Sequence, residues 1–286
     1  MLSILTINAA IQDIRILGHS IYRPITFINQ RLTGLAAQIR QLDPDIVCLQ
    51  ELFHHNLQRQ FYRLLEDRFP FVYGFARKGM KLRLGNELIT LSKYRLANGA
   101  FYRFKDAALE EKIFINKGFY EMNLEIPGTG EFRLINFHMT AGGLRRHPED
   151  PVMEMIRSAQ IQQMTNHATL PLPVILAGDL NAGPGASRKN YDEVISAGFG
   201  DSFSISGGKG ISWDPDNPLI QWHGEYHLPP QRVDHIFINK AAEQIIKPLD
   251  AKIVMDQAGI RLTTGTNIPV SDHYGVLVTF EVVTGD

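Results

Sequence analysis

The chain alternates between short apolar runs and polar breaks marked by glycine or proline. Residues 2–8 are apolar and rich in β-branched side chains, which predicts a first strand. A loop over residues 9–26 follows, carrying Gly18 and Pro24. Ile28, Leu32, Leu35, Ala36, Ile39 and Leu42 then fall on one helical stripe, so the spacing predicts an amphipathic helix over residues 27–41. Asp43-Pro44 ends it, because a proline pushes the residue before it out of the α region. Residues 45–50 read as a buried strand. Further strands are predicted over 87–92, 119–126, 132–139, 174–177, 232–239, 252–255 and 275–283, and a second helix over 152–168. Gly128-Thr129-Gly130 reads as a hairpin turn. Residues 199–230, rich in Gly, Pro, Asp and Ser, read as a long surface loop. Many strands, a few helices and no repeat or linker point to an α+β chain forming one domain over residues 1–286. Its strands would be buried between packed sheets with helices outside.

The informative residues are polar ones at the ends of those apolar strands. Asn8 closes the first and Gln50-Glu51 the second. Asn136 and His138 interrupt a third, and Asp179 and Asn181 follow a fourth. Asp234 stands inside a fifth, and Ser271-Asp272-His273 precedes the last. A carboxylate or imidazole on a buried strand must find a partner or a metal, because desolvation is costly. Six such places, all at strand ends, predict that the ends converge on one polar site. Asn136 and His138, two apart, share a face of their strand. The inventory is Glu51, Asp179, Asp234 and Asp272 with His138, His273, Asn8 and Asn181. Hard oxygen ligands suit Mg²⁺ or Mn²⁺. Two histidines beside a carboxylate-bound cation suit hydrolysis, one as a base for water and one as a donor to developing charge. Taken singly, each of these residues has a structural role as its first explanation. Jointly they favour an active site.

Composition narrows the class. The chain has 286 residues, of which 44% are hydrophobic and 21% charged, the profile of a folded protein. The 29 basic and 30 acidic residues leave a net charge of −1, so no global pull toward nucleic acid or anionic membrane is expected. No apolar run reaches the roughly 18 residues of a membrane-spanning helix. The N-terminus shows neither a basic n-region nor an apolar h-region, which points to the cytoplasm, with a trimmed secreted form as the alternative. Cys48 is the only cysteine, so neither an intramolecular disulfide nor a cysteine metal cluster can form. Local positive charge is densest in Arg77-Lys78-Gly79-Met80-Lys81-Leu82-Arg83, read as a solvated loop. Arg145-Arg146 follows His138 in a glycine-rich loop and could approach a substrate.

Seven motifs stand in one order along the chain: Leu5-Thr6-Ile7-Asn8, Pro44-Asp45-Ile46-Val47-Cys48-Leu49-Gln50-Glu51, Gly85-Asn86-Glu87-Leu88-Ile89-Thr90-Leu91-Ser92, Asn136-Phe137-His138, Gly178-Asp179-Leu180-Asn181, Arg232-Val233-Asp234-His235-Ile236-Phe237 and Ser271-Asp272-His273. In that order they resemble the endonuclease/exonuclease/phosphatase superfamily of Mg²⁺-dependent phosphoesterases. A tripeptide such as Ser-Asp-His arises by chance in roughly one chain in thirty of this length, so the order carries the resemblance. It implies a four-layer α/β sandwich with two central, mostly antiparallel sheets. It also implies roles. Glu51 would hold a catalytic Mg²⁺ (or Mn²⁺), with Asn8 and Asp272 near it. His273 would be the general base, oriented by Asp234. Asp179 and Asn181 would position nucleophile and phosphate, and His138 would stabilise the non-bridging oxygens. Asn136 and Arg145 are expected at the substrate.

Within the superfamily three branches compete. Leu49-Gln50-Glu51-Leu52-Phe53, Lys117-Gly118 and Trp213-Asp214-Pro215-Asp216-Asn217-Pro218 resemble the neutral sphingomyelinase-like branch, which acts on a phospholipid. A nuclease or DNA-end phosphodiesterase is the alternative, for which Ser271-Asp272-His273-Tyr274-Gly275 speaks. Neutral charge speaks against a nuclease, and Ala10, where abasic-site nucleases carry an acid, weakens that sub-branch alone. An inositol-phosphate phosphatase ranks last, since Arg232-Val233-Asp234-His235 departs from that branch. A non-catalytic scaffold ranks low because every expected catalytic residue type is present. The expectation is a monomeric phosphodiesterase acting on a phospholipid or nucleic-acid phosphoester, without a protein partner.

Overall fold

In the computed structural model, residues 1–12, 14–16, 19–22, 25–75, 87–142, 149–168, 172–221 and 228–283 are described. Period-2 alternation builds two six-stranded mixed sheets from them. The first runs in the order Ile246–Val254, Gly275–Val282, Leu2–Ile11, Ile46–Leu52, Ile89–Ser92, Phe71–Tyr73. The second runs Phe199–Asp201, Asp234–Asn239, Val174–Asp179, Gly130–His138, Gly118–Ile126, Arg95–Arg103. Successive residues on a strand feed different cores. Ile4, Cys48, Leu134, Ile175, Ile236 and Val278 fill the space between the sheets. Leu5, Val47, Leu49 and Leu91 face the helix Ile28–Leu42 through Leu32, Leu35 and Ile39. Ile135, Phe137, Leu176 and Phe237 face the helix Pro151–His167 and the helix Arg188–Ser196 through Ile161, Met164 and Val194. The result is the expected sandwich of helices, sheet, sheet, helices. Its strands read as continuous apolar runs because both faces are buried.

Gly34 lies inside the first helix for a steric reason. A Cβ there would stand 2.7 Å from Cδ1 and Cγ1 of Ile260, so only a glycine lets that side chain lie on the helix. Residues 199–230, expected as a long surface loop, are corrected. They contain the strand Phe199–Asp201 and the short helices Ser202–Ile205 and Pro218–Gln221. Phe203, Trp213 and Leu219 are buried. The breaker residues stand between buried anchors, and that pattern has no single period to read. The strands Phe71–Tyr73 and Arg95–Arg103 and the helices His55–Arg63 and Leu109–Phe114 also go beyond the predicted elements. Arg95–Arg103 is an edge strand whose register shifts between Ala97 and Ala100, at left-handed Asn98, and its pattern is correspondingly broken. Among the described residues, no helix is long and apolar enough to cross a membrane.

Candidate active site

Chain direction brings the polar strand ends together. Leu2–Ile11 and Ile46–Leu52 are parallel neighbours, with Asn8 opposite Gln50, so Asn8 and Glu51 emerge at the same end. In the second sheet Asp179 is opposite His138 on one side and opposite Asp234 on the other. Paired positions share a face, so His138, Asp179 and Asp234 stand side by side. The last strand runs antiparallel to the first, which returns His273 to the same end. A hydrogen bond then joins the sheets across this end: Asn8 Nδ2 donates to Asp179 Oδ2 at 3.0 Å. Asn8, Glu51, His138, Asp179, Asn181, Asp234, Asp272 and His273 therefore all belong to one end of the sandwich.

Two geometries define the site. In the first, His273 Nδ1 donates to Asp234 Oδ2 at 2.8 Å. Burial works against a charged imidazole there, but the carboxylates of Asp234, Asp179 and Asp272 outweigh it and push His273 up to about 10. Asp234 Oδ1 is buried and has no hydrogen-bond partner among the described residues. In the second, His138 sits in a buried chain of charges. Its Nε2 lies 2.8 Å from Lys117 Nζ, and its Nδ1 lies 2.6 Å from Glu87 Oε1. Lys117 also donates to Met139 O at 2.8 Å and pairs with Glu111 at 3.3 Å. Burial and the neighbouring Lys117 hold His138 down at about 4. Burial pushes Glu87 up to about 8, with Glu111 and Asp179 adding to the rise.

Asp179 is fixed from three sides. Its Oδ1 accepts from the Asn181 amide at 2.8 Å, while Oδ2 accepts from Asn8 and lies 3.5 Å from His138 Nε2. Asn181 donates from Nδ2 to Met139 O at 3.0 Å. Glu51 lies 3.7 Å from His138 Nε2 and accepts a hydrogen bond from Gln12. Glu51 and Asn181 both have left-handed backbone, with φ of 55° and 51°. Such a conformation costs a non-glycine residue about 1–3 kcal/mol and persists where its surroundings enforce it, typically at functional sites.

The residues fit a hard divalent cation. Burial, then repulsion from Glu87 and Asp272, pushes the Glu51 carboxyl above its usual range, a state that a bound cation would reverse. Two donor sets offer themselves. One is the set that the family resemblance implies, Glu51 with Asn8 and Asp272. The other is Asp179, Asp234 and His273, whose ligand atoms lie within 4.8 Å of one another. The direct His273–Asp234 hydrogen bond already accounts for the closeness of two members of the second set. That leaves the Glu51 set as the one whose members no direct hydrogen bond to one another already accounts for.

Not every expected residue reaches this end. Asn136 was expected at the substrate, but its side chain lies inside the sandwich with all its polar groups engaged. Its Nδ2 donates to Leu49 O, Ile89 O and Thr90 Oγ1 at 3.1–3.2 Å, and its Oδ1 accepts from Gln50 Nε2 at 2.8 Å. It ties the second sheet to the first, behind the site. Arg145, Arg146 and the basic segment 77–83 lie outside the described residues. Several contributors escape the sequence pattern. Glu87 stands in one of the seven motifs without a role assigned, and Glu111 reads as an ordinary charge. Ser212 Oγ accepts from the Val233 and Asp234 amides at 3.0 and 3.1 Å. Trp213 bridges to His273, and Asn217 Nδ2 donates to Ser271 O and Asp272 O at 3.0 and 3.2 Å. The Trp213–Asn217 segment thus holds the loop that presents His273. A polar residue two places before His273 and a Trp-Asp pair were its only signals.

Comparison with known proteins agrees with this fold. The sequence profile of the Endonuclease/Exonuclease/phosphatase family matches residues 22–273. Sphingomyelinase C 2 of Leptospira interrogans is 21% identical over 302 residues, covering 94% of this chain but 46% of that relative. The chain therefore spans about half the length of that curated relative. In structure, beta toxin from Staphylococcus aureus, in a variant with bound magnesium ions, superposes with a TM-score of 0.78 at 17% identity, covering 97% of this chain and 98% of the other. A humanized Danio rerio TDP2 superposes with a TM-score of 0.68 at 18% identity, covering 98% of each chain.

Proposed function

This chain belongs to the endonuclease/exonuclease/phosphatase family, a family of phosphoric ester hydrolases, and we propose that it hydrolyses a phosphodiester by cation-assisted attack of water. The observation that carries the reading is the His273–Asp234 pair, joined at 2.8 Å and placed at the same end of the sandwich as Glu51 and Asp179. Glu51, with Asn8 and Asp272, would hold Mg²⁺ or Mn²⁺. Bound there, the cation would draw charge from the phosphoryl oxygens and offset the carboxylates that otherwise keep His273 protonated.

The chain's own residues supply the rest. Asp234 holds His273 Nδ1–H, which leaves Nε2 to take a proton from water. Asp179, fixed by Asn8 and the Asn181 amide, would orient the nucleophile, with Asn181 at the phosphate. The Lys117–His138 pair would place positive charge where the non-bridging oxygens gain negative charge. Donors fixed in advance by buried partners need no reorganisation as that charge develops.

For the substrate, a phospholipid head group is favoured. The likeness to a sphingomyelinase C supports it, as do Leu49-Gln50-Glu51-Leu52-Phe53 and Lys117-Gly118. The Trp213–Asn217 segment weighs less, because its work here is to hold the His273 loop whatever the substrate. A DNA-end phosphodiesterase is the second reading, favoured by the fold likeness to TDP2. The test is phosphocholine release from sphingomyelin vesicles in Mg²⁺, run beside a 5′-tyrosyl DNA end. Lipid turnover lost in Glu51→Ala and His273→Ala supports the first reading. DNA-end turnover lost in the same variants supports the second.

A further inference from the structure

Arg31 lies on the helix Ile28–Leu42 and is completely buried. Its guanidinium donates to three main-chain carbonyls: Nε to Val270 at 3.0 Å, Nη1 to Ala10 at 3.0 Å and Nη2 to Ala9 at 2.7 Å. Those carbonyls belong to segments more than 250 residues apart in sequence. Ala9 and Ala10 follow Asn8, and Val270 precedes Ser271-Asp272-His273. Ser271 Oγ joins the same two segments by donating to Asn8 O at 2.6 Å. The seam contains the left-handed Ala10, φ 48°, a conformation that surrounding contacts must hold.

The electrostatics point the same way. A buried cation needs compensating charge, and carbonyl dipoles alone supply little of it. Burial draws the guanidinium down to about 10, and the charges that act against this are the carboxylates of Asp272 and Glu51. Arg31 thus remains charged at neutral pH, and the charges that favour it there are those of the two acids assigned above to the cation site. A scaffold arginine would serve equally well beneath any two loops. This one bridges the strand end of Asn8 and the loop of His273.

We propose that Arg31 is a positioning residue that fixes the span between the cation side of the site (Asn8, Glu51) and the base side (Asp272, His273). Through that span it sets the affinity for a divalent cation. The proposal rests on the cation site assigned under the proposed function. Lysine at this position keeps the charge but not the planar fork, so it cannot hold both segments in one geometry. Arg31→Lys therefore separates geometry from charge.

The test is Mn²⁺ binding to the whole chain, followed by electron paramagnetic resonance, with thermal unfolding and near-UV circular dichroism to establish folding. Folded Arg31→Lys should bind Mn²⁺ about tenfold or more weakly, the usual size of an outer-shell loss. In turnover, kcat should fall while KM stays near its original value. Ser271→Ala, which removes the neighbouring strut, should weaken Mn²⁺ binding in the same direction and keeps the test open if Arg31→Lys does not fold. Unchanged Mn²⁺ affinity in either folded variant would overturn the proposal alone. No Mn²⁺ binding by the unaltered chain would overturn the functional reading and the proposal with it.

Discussion

Lys117 Nζ lies 2.8 Å from Nε2 of His138, and this contact decides which nitrogen of the imidazole carries the proton. An ammonium can only donate, so Nε2 accepts. The ring proton then sits on Nδ1 and faces Glu87 Oε1 at 2.6 Å. His138 is thus held neutral, consistent with its position well below the usual histidine range. The positive charge near the site belongs to Lys117. Glu111, 3.3 Å away, is the counter-charge that makes its burial tolerable.

Removing that ammonium should release the tautomer. In Lys117→Met, Nε2 of His138 loses its donor, and the ring proton becomes free to move to it. Histidine ¹⁵N chemical shifts should show His138 leaving the pure Nδ1–H form. Hydrolysis should fall by about 10²–10³, the scale of losing one stabilising donor at an oxyanion. An unchanged tautomer in a folded variant would contradict the assignment.

His235 predicts a specific loss of stability in acid. It lies on the opposite face of its strand from Asp234, where Arg232 Nη1 donates to its Nδ1 at 2.6 Å and its Nε2 donates to Ala182 O at 2.8 Å. Burial, then the Arg232 charge, holds it at about 3. In the unfolded chain a histidine takes its proton near pH 6.5. Between those values the unfolded state binds the extra proton, so stability falls as pH is lowered through the window. Urea unfolding at several pH values should show His235→Gln with a flatter slope than the unaltered chain between about pH 6.5 and 3.

Asn136 predicts a stability effect without a substrate effect. Its side chain spans the sheets and satisfies Gln50, two carbonyls and Thr90. Asn136→Ala takes a partner from each of those groups in the interior, at a cost of about 1–3 kcal/mol. Denaturant unfolding should register that loss, while KM of the surviving folded enzyme stays near its original value. A large rise in KM would return Asn136 to the substrate.

Ser212 predicts the opposite weighting. Its hydroxyl accepts from the amides of Val233 and Asp234 at the point where Asp234 is presented to His273. Ser212→Ala should cost about 1–3 kcal/mol and lower kcat by more than its effect on KM, since it loosens the base rather than the substrate. Steady-state kinetics on the folded variant checks this.

How much of this is legible in the sequence follows from where each residue stands. Asn8, Glu51, His138, Asp179, Asp234 and His273 stand out because they close or interrupt apolar strands, and a buried strand tolerates few polar groups. The two-sheet architecture follows from the same runs. Glu87 and Lys117 stand in sequence motifs but without a role, and Glu111 does not stand out at all. Glu87 and Lys117 flank strands and Glu111 lies in a short helix, where a charge usually means solvent, and only the fold shows that they are buried together. Arg31 sits on the apolar stripe, between Ile28 and Leu35, and a charge on that stripe is a signal that periodicity alone passes over. Residues 199–230 hide their buried anchors among turn residues, so no window shows a period.

The most direct measurement is hydrolysis of a phosphodiester by the purified chain as Mg²⁺ is titrated after chelation, with Glu51→Gln and His273→Ala alongside. The account predicts turnover that is absent in chelator and restored by Mg²⁺ or Mn²⁺. Glu51→Gln should need far more cation, and His273→Ala should bind the cation normally and yet fail to turn over. Turnover that survives chelation, or a folded His273→Ala that retains full activity, would contradict it.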